Sequence, residues 1–166
     1  VTDVLKILRA LLVSEMDLPD ERCMIHNTKW TLPTGDGLFV LLSFVSAKAI
    51  STGKWHEDSV DGLLEVQETA YRDTINVDVF SRSTDARDRR HEVLWAFNGD
   101  EAARTCERFS LKISDLPTEF TDLSDVEASG RLYRYQLTFR VLKVLRREKL
   151  VPYYSDFDGP DLLIEP

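Results

Sequence analysis

A chain of 166 residues, 43% of them hydrophobic and 30% charged, has the balance of one ordinary globular domain and excludes a disordered polymer. Its 29 acids against 21 bases give a net charge of −8, which argues against a dedicated nucleic-acid binder, since such a protein carries a basic patch. The same charge is compatible with a protein that DNA merely passes, because an acidic lumen repels phosphates and lets them slide.

The longest apolar run, Leu38 to Val45, is interrupted by Ser43 and is too short to span a bilayer, so no membrane is expected. The N-terminus is apolar at helical spacing, with Asp3, Lys6, Arg9 and Glu15 interleaved, and reads as a helix rather than a signal peptide. The chain opens on Val1, which leaves open whether residues precede it. Cys23 and Cys106 make neither a disulfide scaffold nor a zinc site, and a reduced, cytosolic setting is the simpler reading.

Thr2 or Asp3 can cap a first helix that ends before Asp17-Leu18-Pro19, with Val4, Leu5, Leu8, Leu11 and Leu12 as its apolar stripe. Glu21 to Trp30 reads as a short strand, and Thr31 to Gly37, with Pro33, Gly35, Asp36 and Gly37, as a loop. Leu38 to Ile50 is apolar on both phases, which predicts a central strand covered on both sides. Ser51 to Leu64 is polar, with Gly53, Gly62 and several acids, and predicts a long exposed loop. The next strand starts near Leu64 or Glu65 and runs to Ser81, with Tyr71, Ile75, Val77 and Val79 in one phase.

Ser83-Thr84-Asp85 begins a helix whose face is Ala86, Val93, Leu94 and Phe97, stopped by Asn98-Gly99. Asp100 to Phe109 continues as a second helical segment with Ala102, Ala103 and Cys106 inward, followed by a short strand over Ser110 to Ile113. Arg131 to Val141 alternates over its whole length and is the best-written strand of the chain. Its phase slips after Val141, which predicts a bulge or the end of the sheet, with Arg146 to Lys149 as a charged hinge. The expected domain is 1–150. The tail, 151–166, has no period but carries Tyr153, Tyr154, Phe157 and Leu162-Leu163-Ile164, and is expected to be an extended arm docking on a neighbouring subunit. The predicted class is α+β: a small mixed, mainly antiparallel sheet with helices packed on one face.

No catalytic constellation emerges. His26, His56 and His91 are far apart and begin no metal-ligand motif, there is no phosphate loop, and no nucleophile elbow is present. Asp73 and Asp78 fall in opposite pleat phases and cannot act as a pair. A carboxylate site assembled from Asp58, Asp61, Glu65 and Glu68 around a divalent ion is the minor alternative of a small metal-dependent enzyme. Trp30, Trp55 and Trp95 read as core or interface residues, and Trp55, inside the polar stretch, is the best single interface anchor. Arg87, Arg89 and Arg90 are a solvated helix face or a set of partners for acids across an interface. Arg134 and Arg140 lie on the wet face of the last strand and suit pairing with a neighbour.

The runs Ile75-Asn76-Val77-Asp78-Val79-Phe80-Ser81, Ala86-Arg87, and Arg90 to Phe97 resemble the tail terminator, or neck, proteins of tailed bacteriophages and related prophages. Ile113 to Ser124, Arg131 to Tyr135 and Tyr153 to Phe157 continue the resemblance, which covers roughly Leu64 to Phe157 and rests on a strand, arginine-rich helix, strand pattern rather than on a catalytic signature. It implies a tail-terminator-like fold with no cofactor, and a homo-oligomer, a hexameric ring, on the head-proximal end of the tail tube. The implied partners are the tail tube protein, the head-completion or connector protein and the sheath protein, with DNA passing the lumen unbound. The implied location is the virion neck, and the host cytoplasm during assembly. Another ring-forming tube or connector subunit is the alternative. Trp55, Arg87, Arg89, Arg90, Arg134, Arg140, Tyr153, Tyr154 and Phe157 are the interface candidates.

Overall fold

A computed structural model of the chain describes residues 3–26, 33, 35–60, 62–127 and 130–151. Helix α1 spans Val4–Glu15, and its first turn is closed by the Asp3 carboxylate, which accepts from the Leu5 backbone N–H at 3.1 Å. Val4, Ile7, Leu8, Leu11 and Leu12 are buried along one stripe, as their spacing requires. A 3₁₀ turn at Asp20–Arg22 leads into strand β1, Cys23–Ile25. Arg9 ties helix to strand by donating to the Asp20 and Cys23 carbonyls, both at 2.6 Å.

Strands β2 (Phe39–Ser59), β3 (Gly62–Ser81) and β7 (Gly130–Val151) are long and antiparallel in sequence of pairing, β3 lying between the other two. β1 adds in parallel outside β2. β4 (Leu111–Ser114), β5 (Thr121–Asp122) and β6 (Asp125–Glu127) all pair antiparallel with β7. The sheet is therefore mixed and mainly antiparallel, as expected. Between β3 and β4 the chain forms α2 (Asp85–Arg89), α3 (Glu92–Asn98) and α4 (Asp100–Arg108). One face of the sheet, through Val40, Leu42, Ile75, Val77, Leu137 and Phe139, packs on the apolar sides of these helices and α1 in a single core. Phe97 meets Phe139 there, with ring centroids 4.8 Å apart. The opposite face carries only a small cluster of Phe39, Leu41 and Phe80.

Five expectations need correction. The stretch predicted as a loop, Ser51 to Leu64, is the outer half of β2, a turn at Val60 and the start of β3. Leu38 to Ile50 is not covered on both sides throughout: Phe39 to Leu42 are buried, whereas Phe44 is 51% and Val45 52% exposed. β7 neither ends nor bulges after Val141. It pairs with β3 without a register shift out to Val151, so the supposed hinge at Arg146 to Lys149 is strand lying opposite Glu65 to Glu68. The helix over 85–98 is two segments. The chain turns at Arg90–His91, which lays α2 on β3 and β7, and α3 on α1 and α4. In α4, Ala102 is buried and Cys106 half-buried as expected, but Ala103 is exposed.

Candidate subunit interface: the three-stranded ribbon

β1 pairs with β2 only at Val40 to Leu42, and β4 with β7 only at Arg140 to Lys143. Beyond those rows the three long strands run on alone among the described residues, out to the last pairs Asp58 with Leu63 and Leu63 with Val151. Eight further residues of β7 at the rise of a strand make this extension about 26 Å long. Among the described residues it is a ribbon with two open edges and no helix over either face. Two bulges interrupt its β2 edge, between Phe44 and Ser46 and between Ala49 and Ser51.

Pleat alternation sorts the ribbon's side chains. On the face opposite the helices lie Trp55, Glu57, Leu64, Val66, Glu68, Arg146 and Glu148. Val66 is fully buried there although it sits in a three-stranded ribbon. Its cross-strand neighbours Trp55 and Glu148 cover it, and the Arg146 guanidinium lies 6.0 Å from the Trp55 ring centroid. Arg146 also reaches Glu148 at 2.8 Å, Glu57 at 3.1 Å and Glu68 at 3.9 Å. The Trp55 indole N–H donates to Glu57 at 2.7 Å and, with Arg146 nearby, holds that carboxyl below its ordinary range. On the other face Lys54 bonds Glu65 at 2.7 Å and lowers the Glu65 carboxyl likewise. The ribbon is thus stiffened by a cross-strand lattice of opposite charges around one small apolar centre.

What the lattice leaves over is apolar. Phe44, Val45 and Ile50 on β2, and Val144, Leu145 and Leu150 on β7, are exposed in the isolated chain. No protein-family model and no curated protein matches the chain.

The residues singled out from sequence are dispersed. Trp55 stands mid-ribbon, half-buried, rather than in a loop. Arg87 pairs with Asp88 at 3.1 Å and stacks over Tyr133; Arg89 forks onto Glu92 at 2.7 Å and onto the Met16 carbonyl at 3.0 Å; Arg90 lies 4.8 Å from the Tyr135 ring centroid. Arg134 binds the buried Asp78 at 3.0 Å, and Arg140 binds Asp115 at 2.8 Å. Each of these arginines already has a partner in its own chain. Tyr153, Tyr154 and Phe157, and Trp30, lie outside the described residues. Trp95, exposed at 66%, projects from α3 with the His91 ring against its edge at 4.3 Å.

Among the described residues no group of three or more His, Cys, Asp or Glu is placed to hold a metal ion. Of the four acids considered for such a site, Glu65 and Glu68 are engaged by Lys54 and Arg146, and Asp61 lies outside the described residues. Asp73 and Asp78 do point to opposite faces: Asp73 is bound by Lys143 on the helix side, and Asp78 by Arg134 and Gln136 on the other. Cys23 is buried, and burial pushes its thiol up to about 12, so it stays a protonated apolar filler. No helix among the described residues is long and apolar enough to cross a membrane. Sequence reasoning missed Ile50, Val144, Leu145 and Leu150 as surface residues. The signal that could have found them is a predominantly basic run, Lys143 to Lys149, complementary to Glu65 and Glu68 on the paired strand.

Proposed function

We propose that the chain is a non-enzymatic structural subunit of a tailed-bacteriophage virion. It forms a closed ring, of six copies by resemblance, on the head-proximal end of the tail tube, where it ends tube growth and joins the tail to the head connector. The observation that carries this reading is the ribbon. A three-stranded sheet with two open edges and exposed Phe44, Ile50, Val144 and Leu150 is uneconomical in a monomer and suits a chain whose edges are met by neighbours.

β2 and β7 both run from core to tip, each antiparallel to β3 between them. One copy's β7 edge therefore meets the next copy's β2 edge by simple rotation, a head-to-tail contact that closes when the rotation divides the circle. Closure consumes every open edge. One side of the ring then copies the contact that a further tube ring would make and the other does not, so growth stops. The acidic balance of the chain suits a passage through which DNA slides.

Negative-stain imaging with native mass measurement of the purified full chain tests the reading. Discrete rings that do not lengthen with concentration are expected. Extended tubes would assign the chain to the tube itself, and a monomer at every concentration up to that of crowded assembly would sink the proposal.

A further inference from the structure

On the bare face of the sheet one cross-strand row is made of cations. Strand register places Lys48 on β2 directly opposite Arg72 on β3, with Leu142 on β7 and Lys112 on β4 completing the row. Leu111, Ile113 and Val141, their neighbours in sequence, pack on the helix-side core, so pleat phase turns this row away from the helices. Arg140 stands in the next row and has an acid, Asp115, at 2.8 Å. Among the described residues Lys48, Arg72 and Lys112 meet no carboxylate, and the Nε of Arg72 is buried with no hydrogen-bond partner. The acids that bound this band along the sheet are already engaged, Asp78 by Arg134 and Gln136, and Glu68 by Arg146.

Two like charges set directly opposite across a strand pair repel, and a buried guanidinium nitrogen without an acceptor is costly. Both costs fall when an anion lies on the row. The surroundings select its kind. Ser46 and Thr74 flank the cations, and the row holds no aromatic side chain. Cations and hydroxyls on an open sheet are the groups that take phosphate oxygens, whereas a protein partner is held by buried aromatic and apolar anchors. Across its three strand spacings the row is about 14 Å wide, room for several successive phosphates of one strand at ~3.4 Å apart.

We infer that the row of Lys48, Arg72 and Lys112 contacts the phosphodiester backbone of DNA. The inference rests on the ring reading, because the cations of one copy are too few to hold DNA and a closed ring multiplies them. Helices α1 to α4 cover one face of the sheet only, so on closure the thicker layer takes the outer circumference and the bare face turns inward. The rows of successive copies then form one basic belt around the passage, in a chain whose net charge is −8. The belt gives passing DNA a single level of contact, and the acidic balance of the chain keeps it from sticking elsewhere.

The test uses the full chain as rings, verified by native mass measurement, with a fluorescently labelled duplex of ~40 base pairs at low salt. Anisotropy is expected to show binding that weakens steeply as salt rises, because each cation set on a phosphate releases counterions. Lys48→Gln, Arg72→Gln and Lys112→Gln together are expected to weaken binding at ~50 mM salt by about tenfold or more and to flatten the salt dependence. Lys48→Gln with Lys112→Gln, both exposed, is expected to act in the same direction and keeps the test open should Arg72→Gln unfold the sheet. Arg147→Gln with Lys149→Gln removes two charges from the other face of the ribbon, and rings of that variant are expected to keep most of their affinity. An equal loss in both sets of variants would mean diffuse attraction and overturn the assignment. Rings that bind no duplex at low salt would overturn it and leave the ring reading standing. Displacement of the duplex by poly-glutamate at matched charge would overturn phosphate as the occupant and make the row a dock for an acidic protein. Absence of any ring would remove both readings together.

Discussion

Asp73 is the most exacting residue in the sheet. Its carboxylate is buried on the helix side of β3 and receives the Lys143 ammonium from β7, while its Oδ1 has no hydrogen-bond partner among the described residues. A buried carboxylate holds its charge only while the partner stays, so removing one member costs more than removing both. Lys143→Met alone is expected to lower stability by about 3–5 kcal/mol, and Lys143→Met combined with Asp73→Leu by much less, to near neutrality. Urea midpoints of the two single variants and the double variant would check this; a single-variant cost below about 1 kcal/mol would mean that water reaches the pair. The opposite orientation of Asp73 and Asp78 was legible in the sequence, because pleat phase follows from the parity of residue numbers. Their partners were not, because Lys143 and Arg134 lie 70 and 56 residues away along the chain and only strand register brings them opposite.

At the scale of elements, what the sequence disclosed depended on whether an element had one wet side and one dry. Helix α1 and the inner halves of β3 and β7 pack one face on the core, so their apolar residues recur with the period of the element. No helix among the described residues packs on the outer halves of β2, β3 and β7, so no long apolar period is written there. Ser51 to Ser59, with its serines, threonine and acids, was indistinguishable from a loop for that reason. The slip after Val141 marks the end of helix cover over β7, not the end of its pairing. Stability in the ribbon rests on cross-strand pairs, and Val66 is its one fully buried apolar side chain. Val66→Ala is expected to cost the ribbon ~2 kcal/mol and to speed amide exchange at Gln67 to Ala70 while leaving Ile75 to Val79 protected. Equal loss of protection in both stretches would mean that ribbon and core unfold as one unit.

For the whole molecule, the division of labour is between a helix-backed core that folds the chain and a ribbon that offers edges. The proposal of a ring predicts that the two parts can be separated by mutation. Val144→Glu with Leu150→Glu places charges at positions exposed in the isolated chain. The monomer's melting is expected to change by no more than about 0.5 kcal/mol, while rings disappear from native mass spectra. Intact rings in that variant would place the contact elsewhere, and Trp95 on α3 would become the next surface to alter.

Under the proposed ring, the two bulges of β2 bear on the chain before it would meet its neighbours. An open strand edge invites any passing strand, and among the described residues β2 displays such an edge from Ser43 to Ser59. At Phe44/Ser46 and Ala49/Ser51 the spacing of that edge's unpaired amides and carbonyls is broken. A straight foreign strand can match only a few residues between the interruptions, so stray copies and unrelated chains are held off from fibril-like stacking. Only a surface shaped to the same two irregularities can engage the full edge. The bulges therefore serve as a gatekeeper against aggregation as much as a feature of shape.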